Sequence, residues 1–278
     1  MKAGADLSDT PQRITSLQND QVKALVRLRN RRERDETQLL LIEEPLVIAR
    51  AMAAEYPLAK LYICPELVPD EDQDLLHTLK TVVEEIVEVP PAVMNKISYR
   101  ESSTGLIVVA TQRHQSLSEL KVDASSPALF VILEGVEKPG NLGAVLRVAD
   151  GAGANAVIIC GKGADVFNPN VLRASRGANF AMPTVQCSHE ELLIFLAAEN
   201  IQTVATSPAA DGAWDQVDLT GSVAIFLGTE HDGLSDELLH KATARISLPM
   251  LGVGDSLNVA TTAAILLFEA VRQRRANH

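Results

Sequence analysis

Short apolar runs alternate with helical patterns along most of the chain, and this alternation restricts the fold more than any other feature. In the second half the runs ALFVILE (128–134), AVIIC (156–160), IQTVAT (201–206) and SVAIFLG (222–228) are typical of buried strands. Helical patterns separate these runs, and an order of strand, helix, strand favours a parallel sheet covered by helices. The sequence therefore predicts an α/β fold.

A polar, serine-rich stretch divides this alternation into two parts. QRHQSLSELKVDASSP (112–127) contains no apolar run and leads directly into the strand pattern at 128, which indicates a linker. We expect a loose polar tail at 1–13, a small α/β domain at 14–111 and a larger α/β domain at 128–278.

Composition excludes several classes of protein. A net charge of −11 argues against a basic coat for nucleic acid, so any nucleic-acid contact must come from local patches. Three cysteines, Cys64, Cys160 and Cys187, are widely spaced and form no CxxC pair, which argues against a disulfide scaffold or a zinc cluster. The segment MKAGADLSDTPQR at the start has no apolar run that could serve as a signal peptide, and no apolar stretch is long enough to span a bilayer. We therefore expect a cytoplasmic protein without a metal site or a membrane partner.

One segment of the first half is strongly basic. The apolar residues Leu17, Val22 and Leu25 have helical spacing, and the other face of this predicted helix carries cations. Such a face either contacts RNA phosphates or is only solvated. The sequence leaves both interpretations open. The cations are Lys23, Arg27, Arg29, Arg31, Arg32 and Arg34, of which Arg27, Arg31 and Arg32 are the candidate phosphate contacts.

Two glycine-containing motifs resemble nucleotide-binding loops without satisfying them. GAGANA (151–156) has the spacing of the dinucleotide fingerprint, but a helical pattern precedes it and a strand follows it, which reverses the required order. It is better interpreted as a helix end and a turn. GVEKPGN (135–141) begins like a phosphate loop, but Asn141 occupies the position where lysine is required.

Three segments of the second half place polar groups directly after strands, where α/β sheets bind ligands. They are ILEGVEKPGNLGAVLRVADGAG (132–153), FLGTEHDGLS (226–235) and SLPMLGVGDSLNVATTAAILLFEAVRQR (247–274). Each segment alone is explained by turns and caps, with Ser256 as the N-cap of a helix from about 256 to 272. Their joint occurrence points to a binding site.

These segments resemble the SpoU (TrmH-type) family of RNA 2′-O-ribose methyltransferases, within the SPOUT class. The motifs PGNLGAVLR, LGTEHDGLS and LPM…SLNVA match in the family's order, and the resemblance covers 128–278. SLQNDQVKALVRLRNRRERDE followed by LLLIEE is similar to the family's substrate-binding domain, which has a fold like that of ribosomal protein L30e.

The resemblance implies a parallel-sheet domain with a deep trefoil knot that acts as a homodimer. It implies S-adenosylmethionine-dependent methylation of a ribose 2′-hydroxyl in a structured RNA, with ribosomal RNA favoured over transfer RNA. Two alternatives remain: a transfer-RNA methyltransferase of the same fold, and a catalytically silent RNA-binding dimer.

The resemblance also implies roles for single residues. Arg147 is the central catalytic residue, as a cation that stabilises the developing alkoxide, because a guanidinium hardly deprotonates. The other polar residues of the implied catalytic set are Asn141, Glu230, Ser256 and Asn258. Gly228, Leu248 and Leu257 are the implied cofactor contacts, largely through backbone groups. Arg176 and Arg173 are the implied RNA contacts of this domain.

Overall fold

The computed structural model describes residues 12–100, 102–123, 125–161, 165–229 and 232–276. They form two compact units, which divide between Gln112 and Arg113. None of the helices within the described ranges combines the length and the apolar character needed to cross a bilayer.

The segment predicted as a linker packs against the second unit over much of its length. Leu117, Leu120 and Val122 are partly buried against the core of that unit. Gln115 pairs with Val185 at the edge of its sheet. Residues that a polar composition marks as a loop thus extend the second unit at its N-terminal side.

Within the described residues, the first unit is a five-stranded mixed sheet with five α-helices. The strand order is β1-β4-β3-β5-β2; β1, β4 and β3 run parallel, while β5 is antiparallel to both β3 and β2. Its elements are β1 (Gln12–Arg13), α1 (Asp20–Arg27), α2 (Arg31–Thr37), β2 (Leu39–Ile42), α3 (Pro45–Ala53), β3 (Leu58–Ile63), α4 (Gln73–Val82), β4 (Glu85–Glu88), α5 (Pro91–Ile97) and β5 (Leu106–Thr111).

The basic segment is not the single helix that its apolar spacing predicts. Helix α1 ends at Arg27, Leu28 is buried, and α2 begins at Arg31. Arg34 is also buried, and its guanidinium donates hydrogen bonds to the carbonyl oxygens of Leu28 and Arg29 at 2.6 and 2.9 Å. These two carbonyls lie in the turn between α1 and α2, so Arg34 stabilises the break. The prediction that Arg34 lies on the exposed basic face is wrong.

The second unit is a seven-stranded sheet in which every strand pair is parallel. The strand order is β10-β12-β9-β11-β6-β7-β8. This confirms the predicted α/β class. Its elements are β6 (Leu129–Glu134), α6 (Pro139–Gly151), β7 (Ala156–Cys160), α7 (Pro169–Ala174), α8 (Ala178–Ala181), β8 (Thr184–Cys187), α9 (His189–Ala198), β9 (Gln202–Thr206), β10 (Gly212–Ala213), β11 (Val223–Leu227), α10 (Asp236–Lys241), β12 (Ala244–Ser247) and α11 (Val259–Ala276).

The central strands β6, β7 and β11 are buried at every position. Helices cover both faces of a parallel sheet, which explains why these strands are uninterrupted apolar runs rather than alternating ones. Strand β6 lies between β7 and β11, and Leu133 of β6 is in register with Leu227 of β11. The chain leaves these two neighbouring strands at the same edge, so the loops after β6 and β11 lie side by side.

Helix α6 connects β6 to β7 and ends as the glycine pattern predicts. Leu142, Val145, Leu146 and Ala149 have helical spacing and are buried. The helix ends at Gly151, and Gly153 has φ +68°, a left-handed conformation that glycine adopts without steric cost. Because β7 follows rather than precedes this turn, the interpretation of GAGANA as a helix end is confirmed.

Two of the widely spaced cysteines become neighbours in the sheet. Cys160 of β7 is in register with Cys187 of β8, and their Sγ atoms lie 3.8 Å apart as free thiols. The hydrogen bond to Cys187 and burial together raise the pKa of the Cys160 thiol. Sequence spacing does not indicate this contact, because it depends on which strands pair.

Candidate functional site

A cavity of about 250 Å³ opens at the edge of the second sheet where the strands end. Residues that follow β9, β11 and β12 form its walls, and the first turns of α11 close it. Apolar side chains dominate the lining, with a few polar groups among them. We call this cavity the pocket. Its position at the carboxyl ends of parallel strands is where α/β sheets bind ligands.

The loop after β11 forms one wall of the pocket and requires glycine. We call residues 228–229 and 232–235 the glycine loop; Glu230 and His231, between these two parts, lie outside the described residues. A Cβ atom on Gly228 would lie 2.1 Å from the carbonyl carbon and oxygen of Gly233. Thr229 and Gly233 exchange two backbone hydrogen bonds of 3.1 and 3.2 Å. The two ends of the loop therefore touch, and only a residue without a side chain fits at position 228.

The three residues implied as cofactor contacts all line the pocket. Gly228 lies on the glycine loop, while Leu248 and Leu257 lie on the segment between β12 and α11. Their roles stay predictions, but the fold brings together positions up to 29 apart in sequence.

Sequence reasoning missed several other lining residues. Thr206 and Ser207 follow β9, and Asp232 and Asp255 add two carboxylates to the pocket. Polar residues directly after a predicted strand were the available signal for Thr206 and Ser207, and the same reasoning that selected the three motif segments could have included them.

Asn141 and Asn258 join two of the motif segments. The Nδ2 atom of Asn258 donates a hydrogen bond of 3.0 Å to Oδ1 of Asn141, across 117 positions of sequence. Asn141 lies in the first turn of α6, and Asn258 directly precedes α11. The fold thus places two predicted catalytic side chains in contact.

Asn258 is also the cap of α11, a role that the sequence assigns to Ser256. Its Oδ1 accepts the backbone N–H of Ala260 at 3.0 Å, and its carbonyl oxygen accepts the N–H of Thr262 at 3.0 Å. Helix α11 begins at Val259, so the predicted start at about 256 is wrong. Ser256 is exposed at the pocket, beside Asp255.

Arg147 lies on the exposed side of α6, between buried neighbours. Leu146 is fully buried, whereas Arg147 is exposed. Within the described part of the chain its guanidinium makes no hydrogen bond or ion pair. A structural cation would be paired, so this arginine is available to an anionic ligand. Glu230, which completes the predicted set, lies outside the described residues.

Arg173 and Arg176 are exposed at the end of α7, beside α6. A Cβ atom on Gly143 would lie 2.5 Å from Cβ of Ala174, which shows how closely the two helices approach. Arg147 follows Gly143 by four residues and shares its face of α6. Arg176 has φ 53°, which is uncommon for a residue other than glycine. The end of α7, which packs closely against α6, therefore carries two further exposed arginines.

The three candidate arginines of the first unit are exposed but paired with carboxylates. Arg27 contacts Glu33 at 3.3 Å, Arg31 contacts Asp35 at 3.4 Å, and Arg32 contacts Glu36 at 2.7 Å. Exposed ion pairs contribute little to stability and exchange partners readily. An RNA phosphate can therefore compete for these guanidinium groups, with the carboxylates reducing the net attraction.

We expect the triple variant Arg27→Ala, Arg31→Ala, Arg32→Ala to bind RNA more weakly and with a flatter salt dependence. Each lost phosphate contact lowers the slope of log affinity against log salt by about 0.7–0.9. Titration of a labelled RNA fragment at several salt concentrations measures this slope. The matched variant Glu33→Gln, Asp35→Asn, Glu36→Gln releases the same arginines and is expected to bind more tightly. A slope unchanged in the arginine variant would establish that this surface is only solvated.

Comparisons with known proteins match one family model to each of the two units. A family model described as the SpoU rRNA Methylase family matches residues 128–268, and one described as an MRM3-like substrate binding domain matches 19–108. The 23S rRNA (uridine(2479)-2′-O)-methyltransferase of Streptomyces viridochromogenes is 31% identical over 94% of this chain and 92% of its own.

Two solved structures are similar over nearly the whole chain. One, described as an RNA 2′-O ribose methyltransferase, has a TM-score of 0.82 and 39% identity, and the match covers 95% of this chain and 100% of the other. The other is the AdoMet-bound rRNA methyltransferase of Sinorhizobium meliloti, with a TM-score of 0.84, 30% identity and coverage of 94% and 97%.

Proposed function

The chain belongs to the SpoU rRNA methylase family, and on this premise we propose that it methylates ribosomal RNA at a ribose 2′-hydroxyl. It is an S-adenosylmethionine-dependent RNA 2′-O-methyltransferase. The observation that carries this function is the Asn141–Asn258 contact beside the pocket, because it joins two motif segments of the family at one place.

The pocket fits S-adenosylmethionine in its chemistry. Leu248 and Leu257 offer an apolar surface for the adenine, and the walls of the glycine loop offer backbone groups. Asp232 and Asp255 supply negative charge for a ligand that carries a sulfonium and an ammonium group. When bound, S-adenosylmethionine supplies a methyl group that is already activated for transfer.

The chain's own residues then act on the attacking hydroxyl. Negative charge develops on the 2′-oxygen as its proton leaves, before this oxygen bonds to the methyl carbon and the bond from that carbon to sulfur breaks. A fixed cation beside the oxygen stabilises this charge and lowers the barrier. We assign this role to the guanidinium of Arg147, which stays charged at any relevant pH. Asn141, held by Asn258, orients the hydroxyl or the guanidinium. The proton leaves to a substrate phosphate or to water, and Glu230 and Ser256 complete the polar set.

Two features favour ribosomal RNA over transfer RNA. A substrate-binding domain precedes the catalytic unit, with the exposed arginines of α1 and α2 on its surface. The relative with 31% identity is named for 23S rRNA and spans both units. An extra domain of this kind suits a large folded RNA, in which contacts far from the reacting ribose position the nucleotide.

We further propose a homodimer through the second unit, with the trefoil knot of the family, in the cytoplasm. Leu251 and Val253 are fully exposed next to the pocket, and Phe268 is half exposed on α11. Large apolar side chains on a surface indicate an interface. A second copy of the chain, seated over α11 and the segment before it, would cover them.

Mass mapping of ribose methylation tests the function. We expect RNA from cells that lack the gene to lose one 2′-O-methyl group in ribosomal RNA, and the purified protein to restore it with S-adenosylmethionine. Labelled methyl groups on a base, or on transfer RNA alone, would contradict the proposal. If the protein binds the cofactor but methylates neither ribosomal nor transfer RNA, the alternative of a catalytically silent RNA-binding dimer is favoured.

A further inference from the structure

Glu134 is a buried carboxylate that the reaction does not use. It is the last residue of β6 and is 8% exposed. Its Oε2 atom accepts a hydrogen bond of 2.7 Å from the backbone N–H of Ser235, and its Oε1 atom lies 2.8 Å from Nε2 of His189. Burial of a charged group is costly unless its atoms are paired. The two contacts therefore account for its presence in the core.

The contact with Ser235 replaces the missing half of a capping box at the start of α10. Ser235 is the N-cap of α10, and its side chain accepts the N–H of Leu238 at 3.4 Å. In a capping box the third helical residue is Glu or Gln, which returns a bond to the N–H of the N-cap. In α10 that residue is Leu238, which is fully buried in the core. The N–H of Ser235 therefore takes its acceptor from Glu134, 101 positions earlier.

Helix α9 shows the local solution to the same requirement. Its N-cap is Ser188, and Glu191 accepts the N–H of Ser188 at 2.8 Å within one turn. This capping box lies within one turn and stabilises only the helix that contains it. The long-range acceptor in α10 also fixes where the helix begins relative to the sheet.

The start of α10 is the end of the glycine loop. Gly233 and Leu234, which line the pocket, directly precede Ser235. At the other end of the loop, a Cβ atom on Gly135 would lie 2.9 Å from Cγ2 of Thr229. The end of β6 thus touches the glycine loop at both of its ends.

We propose that Glu134 is a positioning residue for the cofactor: by holding the N–H of Ser235, it fixes the glycine loop as a wall of the pocket. This inference rests on the proposed function, because it takes S-adenosylmethionine as the ligand of the pocket. Glu134 acts through Ser235 and contacts no reacting atom in this role.

His189 holds Glu134 from the opposite side. Its Nε2 atom is buried at 2.8 Å from Oε1 but without the alignment of a hydrogen bond, and its Nδ1 atom lies 3.3 Å from Oε2 of Glu237 on α10. The directional bond of Glu134 is therefore the one to Ser235. A glutamine at this position keeps an acceptor for that N–H, whereas a methionine of similar size has none.

The test compares Glu134→Met with Glu134→Gln in the full-length protein, with Glu191→Met as the matched control. Calorimetric titration with S-adenosylmethionine measures Kd, thermal melting measures stability, and steady-state assays on RNA measure kcat and KM. We expect Glu134→Met to raise the cofactor Kd and KM about tenfold or more, with little change in kcat at saturating cofactor. Glu134→Gln is expected to keep the cofactor Kd. Glu191→Met is expected to lower Tm without changing Kd.

A Glu134→Met protein that melts earlier but binds the cofactor normally would reduce Glu134 to a structural cap and overturn the proposal. Equal loss of affinity in Glu134→Gln and Glu134→Met would also overturn it. Failure of the unmodified protein to bind S-adenosylmethionine would instead refute the proposed function.

If Glu134→Met does not fold, hydrogen exchange on the unmodified protein tests whether the N–H of Ser235 is held. The Ser235 amide is expected to exchange as slowly as the amides of β6, and exchange at the rate of an open loop would overturn the inference.

Discussion

Arg147→Ala is expected to lower single-turnover methyl transfer about 10²–10³-fold, which is the usual loss when one group that stabilises transition-state charge is removed. The protein should fold and bind S-adenosylmethionine almost normally, because Arg147 is exposed and has no partner among the described residues. Thermal melting, calorimetric cofactor titration and rapid-quench methylation of one RNA separate these effects.

Two further variants show whether the loss comes from the guanidinium or from charge alone. Arg147→Lys is expected to recover little activity, because an ammonium group lacks the planar fork of arginine. Arg245→Ala removes an exposed cation of the same unit, on β12 and outside the pocket lining, and is expected to transfer methyl groups normally. A stable, cofactor-binding Arg147→Ala protein with near-normal turnover would refute the proposed mechanism.

The site could be predicted from sequence where its residues share a local rule. Asn141 and Asn258 each lie at a helix start after a strand, and parallel strands end at one edge of a sheet, so the fold class places both residues at that edge. The family resemblance, rather than a local pattern, implied the pocket residues Gly228, Leu248 and Leu257. The α/β class itself followed from the apolar runs, because strands buried on both faces cannot alternate.

Contacts that depend on strand order could not be predicted in this way. Glu134 ends an apolar run and carries no local sign that it caps a helix 101 positions later. Cys160 and Cys187 become neighbours only because β7 pairs with β8. Each contact requires the order of the sheet, and hydrophobic periodicity contains no information about that order.

The basic segment shows a second reason why sequence patterns fail to predict local structure. Apolar spacing at Val22, Leu25 and Leu28 continues without a gap, so it predicts one helix. Arg34 stabilises the break by donating hydrogen bonds to two carbonyl groups in the turn after α1, and this side-chain contact has no signature in the apolar spacing. A charge pattern alone cannot distinguish an arginine that serves the backbone from one that faces solvent.

Gly228→Ala is expected to reduce cofactor affinity about 100-fold or more while leaving the fold in place. The added Cβ would meet the backbone of Gly233 at 2.1 Å, and a backbone cannot rotate away as a side chain can. The two hydrogen bonds between Thr229 and Gly233 must then break, which opens the wall of the pocket. Strand β11 ends at Leu227 and keeps its pairing, so the expected loss of stability is about 1–3 kcal/mol. Calorimetric titration with S-adenosylmethionine measures the affinity, and denaturant unfolding measures the stability.

Gly221→Ala is the matched control, because Gly221 precedes the same strand at its opposite end and a Cβ there would meet no atom within 4 Å. Its cofactor affinity should equal that of the unmodified protein, so any difference between the two variants belongs to the glycine loop rather than to glycine content near β11. Since Gly228 has no side chain, its substitution adds a methyl group and removes no side-chain contact with the cofactor. Normal cofactor binding by a folded Gly228→Ala protein would therefore mean that the glycine loop is not a wall of the cofactor site, and the assignment of the pocket would be wrong.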